Sequence, residues 1–306
     1  MEIRQLRTVV HVAELGSISG AAERLHIAQP ALTRQIQALE DELTIRLFYR
    51  HGRGVRLTGQ GAAFLARAKR ILHEVEQART EFISDDAALY GEIAVGMPPT
   101  VSDTLSTILI EKFLREHPNV KLRVVSGYSG HILDWLQKGV IDLGIIYDAK
   151  HPATIVSQPI LLEKLFLVQR ATKVPLKDEA TLEEAVTLPL ILPSQQHGLR
   201  LLIDDVATRH GFTITPIVEV DSLPVQIDLV CRGLGATILP YLPVFRRVEA
   251  GLLEARPLMS PPITRQLILA RTVGRPESAA VRKFAELITR EISQLVTNGH
   301  WLGVLT

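Results

Sequence analysis

Residues 17–36 read SISGAAERLHIAQPALTRQI, and this stretch decides the fold of the N-terminal region. Ser17 and Ser19 are suitable N-cap residues for a short helix through the small apolar residues that follow. Pro30 is favoured in the first turn of the next helix, because its missing N–H has no partner to lose there. The first of these two helices stops near residues 26–28 and the next starts at Pro30, which leaves a tight turn of about four residues, so the spacing predicts a helix-turn-helix. Apolar residues recur at intervals of three and four in a helix before it: Leu6, Val9, Val10 and Ala13.

The second helix of this motif has two different faces. At about 100° per residue, four aliphatic side chains share an inward stripe: Leu32, Ile36, Leu39 and Leu43. The opposite face carries polar side chains and one proline: Pro30, Thr33, Arg34 and Gln37. A helix that reads DNA needs an apolar anchoring side and a side with donors and acceptors. An ordinary amphipathic surface helix shows the same pattern, and the pattern alone leaves both interpretations open.

A small β-hairpin is predicted next. Residues 47–50 and 55–57 have strand character, and glycines in the turn between them permit positive φ. Arg53 lies at the tip of this wing, where it suits a narrow, negatively charged minor groove; an exposed loop arginine without a partner is the alternative. No acidic residue occurs from 43 to 73, whereas seven basic residues do. This region therefore has a positive electrostatic potential that would attract a polyanion, although basic runs are often only solvent-exposed protein surface.

A long helix follows, for which Thr58 is the predicted cap. A narrow seam continues along it at intervals of three and four residues: Leu65, Ala68, Leu72, Val75, Arg79 and Phe82. A seam of this length must be buried against something, and a second copy of the chain is the simplest partner. Packing against the C-terminal domain of the same chain is the alternative.

From Gly91 onward, short apolar strands alternate with amphipathic helices. Strands are predicted at residues 92–96, 120–126, 141–147, 190–192, 214–220, 236–239 and 266–270. Helices are predicted at residues 103–116, 130–138, 199–210, 224–232 and 277–296. This alternation predicts a parallel sheet flanked by helices.

Composition excludes several classes of protein. The 306 residues are 46% hydrophobic and 22% charged, a globular balance, with a net charge of +1. Cys231 is the single cysteine, so no disulfide within the chain and no multi-cysteine zinc site can form. The sequence has neither an uninterrupted apolar run of about 18 residues nor the pattern of a secretory signal at its start. A cytoplasmic location is therefore expected.

Motifs of catalysis are missing as well. Residues 127–131, GYSGH, depart from a nucleophile elbow because histidine replaces its second glycine. The sequence contains neither a zinc-protease helix motif nor a phosphate-binding P-loop, so no catalytic residue, metal or resident cofactor is expected. A two-lobed solute-binding protein is a rival interpretation of the C-terminal half, which the missing export signal and the first ninety residues oppose.

Residues 17–36, with LEDEL at 39–43, LFYR at 47–50 and VRLT at 55–58, resemble the LysR-type family of bacterial transcriptional regulators. The resemblance extends through GYSGH at 127–131, IDLG at 141–144, LPS at 192–194 and GLGA at 233–236. Within the family, the sequence looks most like regulators of nitrogen assimilation. The resemblance implies a sequence-specific activator or repressor that binds operator DNA and responds to a small-molecule effector.

The implied fold is α + α/β. A winged helix-turn-helix would span residues 1–58, a dimerising linker helix 59–89, and an effector-binding domain of the type II periplasmic-binding-protein fold 90–306. In that fold two crossover strands join two lobes, with lobe I at about 90–161 and 265–306 and lobe II at about 162–264. Homodimers that assemble into a homotetramer are expected, and RNA polymerase is a further expected partner.

The resemblance assigns DNA contacts to four residues of the recognition helix and one of the wing: Gln29, Pro30, Thr33, Arg34 and Arg53. Gln37 joins them because it lies on the outward face. Many family members have Ser or Thr directly before the Gln-Pro pair, whereas this chain has Ala28. A side-chain cap or phosphate contact is therefore lost at that position.

Polar residues follow three consecutive predicted strands, at the sheet edge where ligands of open α/β sheets bind. They are Thr100 and Ser102 at a helix N-terminus after the first strand, Ser129 after the second, and Tyr147 at the end of the third. The resemblance implies that Ser194 and Gln195 face them across a cleft between the lobes. The hydroxyl groups could equally be helix caps. Because no arginine stands at these positions, a small, weakly charged effector is predicted.

Overall fold

The computed structural model describes residues 1–51, 54–83, 89–147, 151–172, 177–274 and 277–306, with only the backbone described at 50, 73, 76, 77 and 79–83. The chain divides into two compact units, residues 1–91 with 137–140, and residues 92–136 with 141–306. Within the described residues, no helix combines the length and apolar character needed to span a membrane.

The first unit is a helical domain with a β-hairpin. Its elements are α1 (Ile3–Leu15), α2 (Ile18–Arg24), α3 (Gln29–Leu43), β1 (Phe48–His51), β2 (Gly54–Leu57) and α4 (Gly59–Ile83). Leu32 and Leu39 of the stripe predicted on α3 are 0% exposed and pack in one core with residues of α1 and α2. The Ser17 hydroxyl caps α2, accepting the backbone N–H of Gly20 at 3.2 Å. The predicted helix-turn-helix is thus confirmed.

The hairpin is antiparallel, with Phe48 opposite Leu57, and it packs against the corner between α1 and α2. The backbone N–H of Val55 donates to the carbonyl oxygen of Gly16, 2.9 Å away. A Cβ atom at Gly54 would lie 2.4 Å from that same oxygen, and the φ of 139° at this position also favours glycine. The predicted wing is therefore present, and it depends on Gly54 at this contact.

α4 begins after Thr58, whose hydroxyl accepts the backbone N–H of Gly61 at 2.8 Å, as predicted for its cap. The start of the predicted seam is already buried within the first unit, since Ala68 is 0% exposed and Leu65 packs against the helix-turn-helix core. The later seam residues are Leu72 and Val75, which are half-buried, and Arg79 and Phe82, whose side chains lie outside those described. Only this later part of the seam is left for another partner.

The second unit is a two-lobed α/β domain. Its strands are β3 (Gly91–Met97), β4 (Val120–Ser126), β5 (Leu143–Tyr147), β6 (Ile155–Arg170), β7 (Ala180–Thr181), β8 (Ile191–Leu192), β9 (Val218–Glu219), β10 (Thr237–Pro240), β11 (Leu253–Ser260), β12 (Thr264–Thr272) and β13 (Gly303–Leu305). Its helices are α5 (Pro99–Glu116), α6 (Ser129–Gln137), α7 (Leu182–Thr187), α8 (Gly198–Arg209), α9 (Leu223–Cys231), α10 (Phe245–Glu249) and α11 (Ala279–Thr297). In the described chain, nine strands join in one sheet, in the order β4, β3, β5, β12, β6, β11 and β7, with β10 and β13 also paired to β6.

The expectation of a parallel sheet holds only for some of its strands. β3 and β5 are parallel, but β12 runs antiparallel to both β5 and β6. β6 pairs with β12 and β13 up to Lys164, and with β10 and β11 from Leu165 onward. The chain therefore crosses from one lobe to the other along β6 and returns through β12.

The sequence pattern predicted neither β6 nor β11. β6 is 16 residues long and lacks a two-residue burial period, since residues 165–168 are all buried. The strand predicted at residues 214–220 is reduced to β9. α5 begins at Pro99, four residues before the predicted start, and this places Thr100 in its first turn.

Candidate functional site

The outward face of α3 is accessible. Of the residues predicted to contact DNA, four are exposed and Thr33 is half-buried; the exposed ones are Gln29, Pro30, Arg34 and Gln37. The Nε of Arg34 donates to the carbonyl oxygen of Pro30 at 3.4 Å, a contact within its own helix. Arg53 lies outside the described residues. Pro30, Thr33, Arg34 and Gln37 lie on the face opposite the buried stripe, and Gln29 is exposed as the first residue of α3.

Two contacts fix α3 within the first unit. The hydroxyl of Thr8 on α1 donates to Gln35 at 2.7 Å. Glu40, which is 4% exposed, accepts the backbone N–H groups of Leu47 and Phe48 at the start of the wing, at 2.7 and 3.2 Å. An acidic residue in a helical pattern usually indicates a solvent-exposed position. The contact of Glu40 with the wing could therefore not be predicted from the sequence.

Part of the basic stretch is neutralised by acidic residues of the same unit. Arg46 pairs with Glu40 at 3.0 Å, and Lys69 pairs with Glu14 at 3.4 Å. Five arginines of the unit form no ion pair within the described part of the chain: Arg7, Arg34, Arg56, Arg67 and Arg70. These cations remain available to phosphate groups.

The second unit contains a cavity of about 690 Å³ between its lobes. The segments that follow β3, β4 and β8 line it, together with the end of β5. Four of the six predicted effector-contacting residues line it: Thr100, Ser129, Tyr147 and Ser194. Polar groups after three neighbouring strands thus meet at one cavity, as expected for an open α/β sheet.

Ser102 and Gln195 are not among the lining residues. Ser102 lies two residues beyond Thr100 on α5, which turns its side chain by about 200°. Its hydroxyl lies 3.1 Å from that of Ser106 instead. Next to Ser194, it is Gln196 that lines the cavity, whereas Gln195 is exposed.

An arginine that the strand-end pattern missed also lines the cavity. Arg265 of β12 is 4% exposed and forms an ion pair with the fully buried Glu163 of β6. It donates to the hydroxyl of Thr100 at 3.3 Å, and its guanidinium carbon lies 3.5 Å from the centroid of the Tyr147 ring. Burial raises the pKa of Tyr147, so that its hydroxyl stays protonated. Arg265 comes from a crossover strand whose register is set by distant pairing, which the local pattern does not reveal.

Asp221 and His197 lie in the wall contributed by the second lobe. Asp221 accepts the backbone N–H and the hydroxyl of Ser194, at 2.9 and 3.1 Å, and these hydrogen bonds lower the pKa of its carboxyl. Burial, with a smaller effect from the charge of Arg265, lowers the pKa of His197 to about 4. The neutral ring accepts the backbone N–H of Leu199 at Nδ1, 3.0 Å away, so its proton lies on Nε2.

Aromatic rings form another part of the wall. The ring centroid of Tyr128 lies 4.4 Å from that of His197 and 5.9 Å from that of His131. The hydroxyl of Ser129 accepts the backbone N–H of Tyr147 at 3.0 Å, which leaves its own proton free to be donated. A concave site with apolar rings and a few directed polar groups is typical of small-molecule binding.

Two family models match the chain. The model described as bacterial regulatory helix-turn-helix protein, lysR family, matches residues 3–62, and the LysR substrate binding domain matches residues 87–293. The nitrogen assimilation regulatory protein Nac of Klebsiella aerogenes is 31% identical over 241 residues, which cover 78% of each chain. The transcriptional regulator BbuR of Bordetella bronchiseptica is 28% identical over 95% of this chain and 90% of its own.

Solved structures of full-length regulators have a similar fold. A full-length OxyR variant from Pseudomonas aeruginosa matches with a TM-score of 0.71 and 26% identity, covering 95% of this chain and 94% of that chain. CbnR in complex with its target DNA matches with a TM-score of 0.66 and 23% identity, covering 95% of this chain and 99% of that chain. The similarity to CbnR is one of fold.

Proposed function

The chain belongs to the LysR family of bacterial transcriptional regulators, and from this premise we propose which of its residues contact DNA and which contact the effector. It is a sequence-specific DNA-binding regulator and not an enzyme, and a small-molecule effector bound by the C-terminal domain modulates its activity. The observation that carries the residue assignment is the accessible outward face of α3 opposite its buried stripe.

α3 is the recognition helix, and five of its residues face the DNA: Gln29, Pro30, Thr33, Arg34 and Gln37. Thr33 is the candidate for a base-edge contact, with Gln37 as the second, and Arg34 serves a phosphate. Arg53, which lies outside the described residues, is the proposed minor-groove contact of the wing. The exposure of the α3 side chains and the unpaired arginines of the unit support this assignment.

The effector binds in the 690 Å³ cavity and contacts Thr100, Ser129, Tyr147 and Ser194. The charge of Arg265 is compensated by Glu163, and Asp221 adds a negative charge to the wall. A neutral or singly charged small molecule suits this balance better than a highly charged one, which would need an uncompensated cation. Ser102 and Gln195 do not line the cavity, so their predicted contact with the effector has no support from it.

Several features of the assembly belong to the same proposal. The domains are residues 1–58, 59–89 and 90–306, with lobe I at about 90–161 and 265–306 and lobe II at about 162–264. α4 pairs with α4 of a second copy, and dimers pair into a homotetramer on DNA. RNA polymerase is a further proposed partner. Because operator DNA of a bacterium lies in the cytoplasm, the protein acts there.

A mobility-shift titration with DNA from upstream of the protein's own gene tests the assignment. Binding should be specific against a scrambled duplex of the same length and composition, and should weaken steeply with salt, because phosphate contacts release counterions. A solute-binding protein with the same two-lobed domain would bind neither duplex. Equal affinity for both duplexes would contradict sequence-specific reading by α3.

A further inference from the structure

The segment that follows α11 is packed against a crossover strand. β13 pairs with β6 in antiparallel register, with Gly303 opposite Glu163. A Cβ atom at Gly303 would lie 2.5 Å from the carbonyl oxygen of Leu162, so this approach of the two backbones requires glycine. Trp301, just before this strand, is 0% exposed. We call residues 300–305 the β13 segment.

One buried carboxylate joins the β13 segment to the cavity. Oε2 of Glu163 accepts the indole N–H of Trp301 at 2.7 Å, and Oε1 accepts the Nε–H of Arg265. Arg265 in turn donates to Thr100 and covers the ring of Tyr147, both of which line the cavity. Donors on both oxygens fix the plane of the carboxylate, and the planar guanidinium must follow that plane.

The β13 segment also contacts the second lobe. The ring of His300 stacks on Phe245 of α10, with centroids 4.7 Å apart, and its Nε2 lies 3.6 Å from Glu249. The backbone N–H groups of His300 and Trp301 both donate to the carbonyl oxygen of Leu295, which closes the turn after α11. Trp301 is thus held by hydrogen bonds to α11 and β6 and, through its neighbour His300, by contact with α10.

We propose that Trp301 is a positioning residue of the ligand cavity, which fixes the guanidinium of Arg265 by orienting Glu163. The inference rests on the proposed function of the cavity. Without the indole N–H, one buried oxygen of Glu163 loses its donor, and the carboxylate gains free energy by rotating toward another. That rotation moves Arg265 relative to Thr100 and Tyr147. If Trp301 only fills the core, removing its N–H while keeping an aromatic ring leaves the position of the Arg265 guanidinium unchanged.

Trp301→Phe separates these roles, because it keeps an aromatic ring and removes the donor. The readout is the Arg265 Nε–Hε signal in a ¹⁵N NMR spectrum, assigned as the one that Arg265→Lys removes. We expect the signal to shift and its exchange with solvent to become about tenfold faster, since the buried ion pair opens more often. Trp135→Phe is the matched control: it changes the other of the two tryptophans, which stacks on His131, and should leave the signal in place.

A reciprocal experiment tests the positioning role of Trp301 if Trp301→Phe does not fold. In Arg265→Lys, the indole N–H signal of Trp301 should shift, and that of Trp135 should shift less. An unmoved Arg265 signal in folded Trp301→Phe, or an unmoved Trp301 signal in Arg265→Lys, would overturn the proposal. If Trp301→Phe moves the Arg265 signal while Thr100→Val leaves effector binding unchanged, the positioning contact stands and the proposed ligand site fails.

Discussion

The carboxylate of Glu40 on α3 accepts the backbone N–H of Leu47 across 2.7 Å, and this hydrogen bond joins the recognition helix to the wing. The same oxygen accepts the N–H of Phe48, and the other oxygen pairs with Arg46. One buried side chain therefore sets the position of β1 relative to α3. Since both elements are proposed to contact DNA, this contact matters for stability and for binding.

Glu40→Ala should destabilise the first unit. It leaves two backbone N–H groups near Leu47 without an acceptor, and each unsatisfied buried group costs about 1–3 kcal/mol. We expect the free energy of unfolding of this unit to fall by about 2 kcal/mol or more in a urea titration. Asp41→Ala, at an exposed position of the same helix, is the control and should change the free energy of unfolding by less than about 0.5 kcal/mol. Equal losses in the two variants would contradict the assigned role of Glu40.

Leu72→Asp should weaken dimerisation through α4. A charge in a buried seam is costly when no partner compensates it. The mass measured by light scattering should fall toward that of a single chain of 33.9 kDa. Arg70→Asp provides the control, because position 70 is exposed and lies about 160° around the helix from Leu72. If Leu72→Asp keeps the mass of the unchanged protein, the seam packs within the chain.

His197 should make the protein less stable in mild acid. Burial lowers its pKa in the folded protein from 6.5 to about 4, so between these pH values only the unfolded chain takes up a proton. Stability is thus fully present above pH 6.5 and decreases as the pH falls toward 4. His197→Asn keeps a helix cap and should remove about 2 kcal/mol of this pH dependence in urea titrations. His210→Asn, at an exposed position, is the control, and an identical effect of both substitutions would contradict the assignment.

Thr100→Val and Ser129→Ala should weaken effector binding without unfolding the domain. A screen of small metabolites by thermal shift identifies the ligand, because a ligand in excess stabilises the folded state by mass action. Each variant should reduce the shift, since each removes a hydroxyl from the cavity wall. Ser102→Ala is a matched control, as its hydroxyl lies against Ser106. A shift that persists undiminished in both cavity variants would place the ligand elsewhere.

The N-terminal unit could be predicted from the sequence because its information is local. The intervals between Leu32, Ile36 and Leu39 define the buried face of α3, and Pro30 marks the first turn. Turn residues and a threonine cap likewise mark the wing and the start of α4. Each of these signals lies within a few residues of the element it specifies.

The cavity could be predicted only in part, because some of its wall depends on pairing between strands that are far apart in the sequence. Thr100, Ser129 and Tyr147 follow strands and could be found from local patterns. Arg265 and Glu163 face each other across β12 and β6, about a hundred residues apart in sequence. Both strands lie in a mixed sheet without regular alternation of polar and apolar residues, so no periodicity indicated that an ion pair reaches the cavity.

The central claim is that α3 binds DNA through its outward face, and Arg34→Ala tests it most directly. Binding to the upstream duplex is measured by fluorescence anisotropy between about 50 and 200 mM salt for the unchanged protein and the variant. Arg115→Ala, at an exposed arginine of the second unit, is the control. We expect Arg34→Ala to bind more weakly, with a salt slope smaller by about one, and Arg115→Ala to match the unchanged protein. An affinity and a salt slope of Arg34→Ala equal to those of the unchanged protein would contradict the claim.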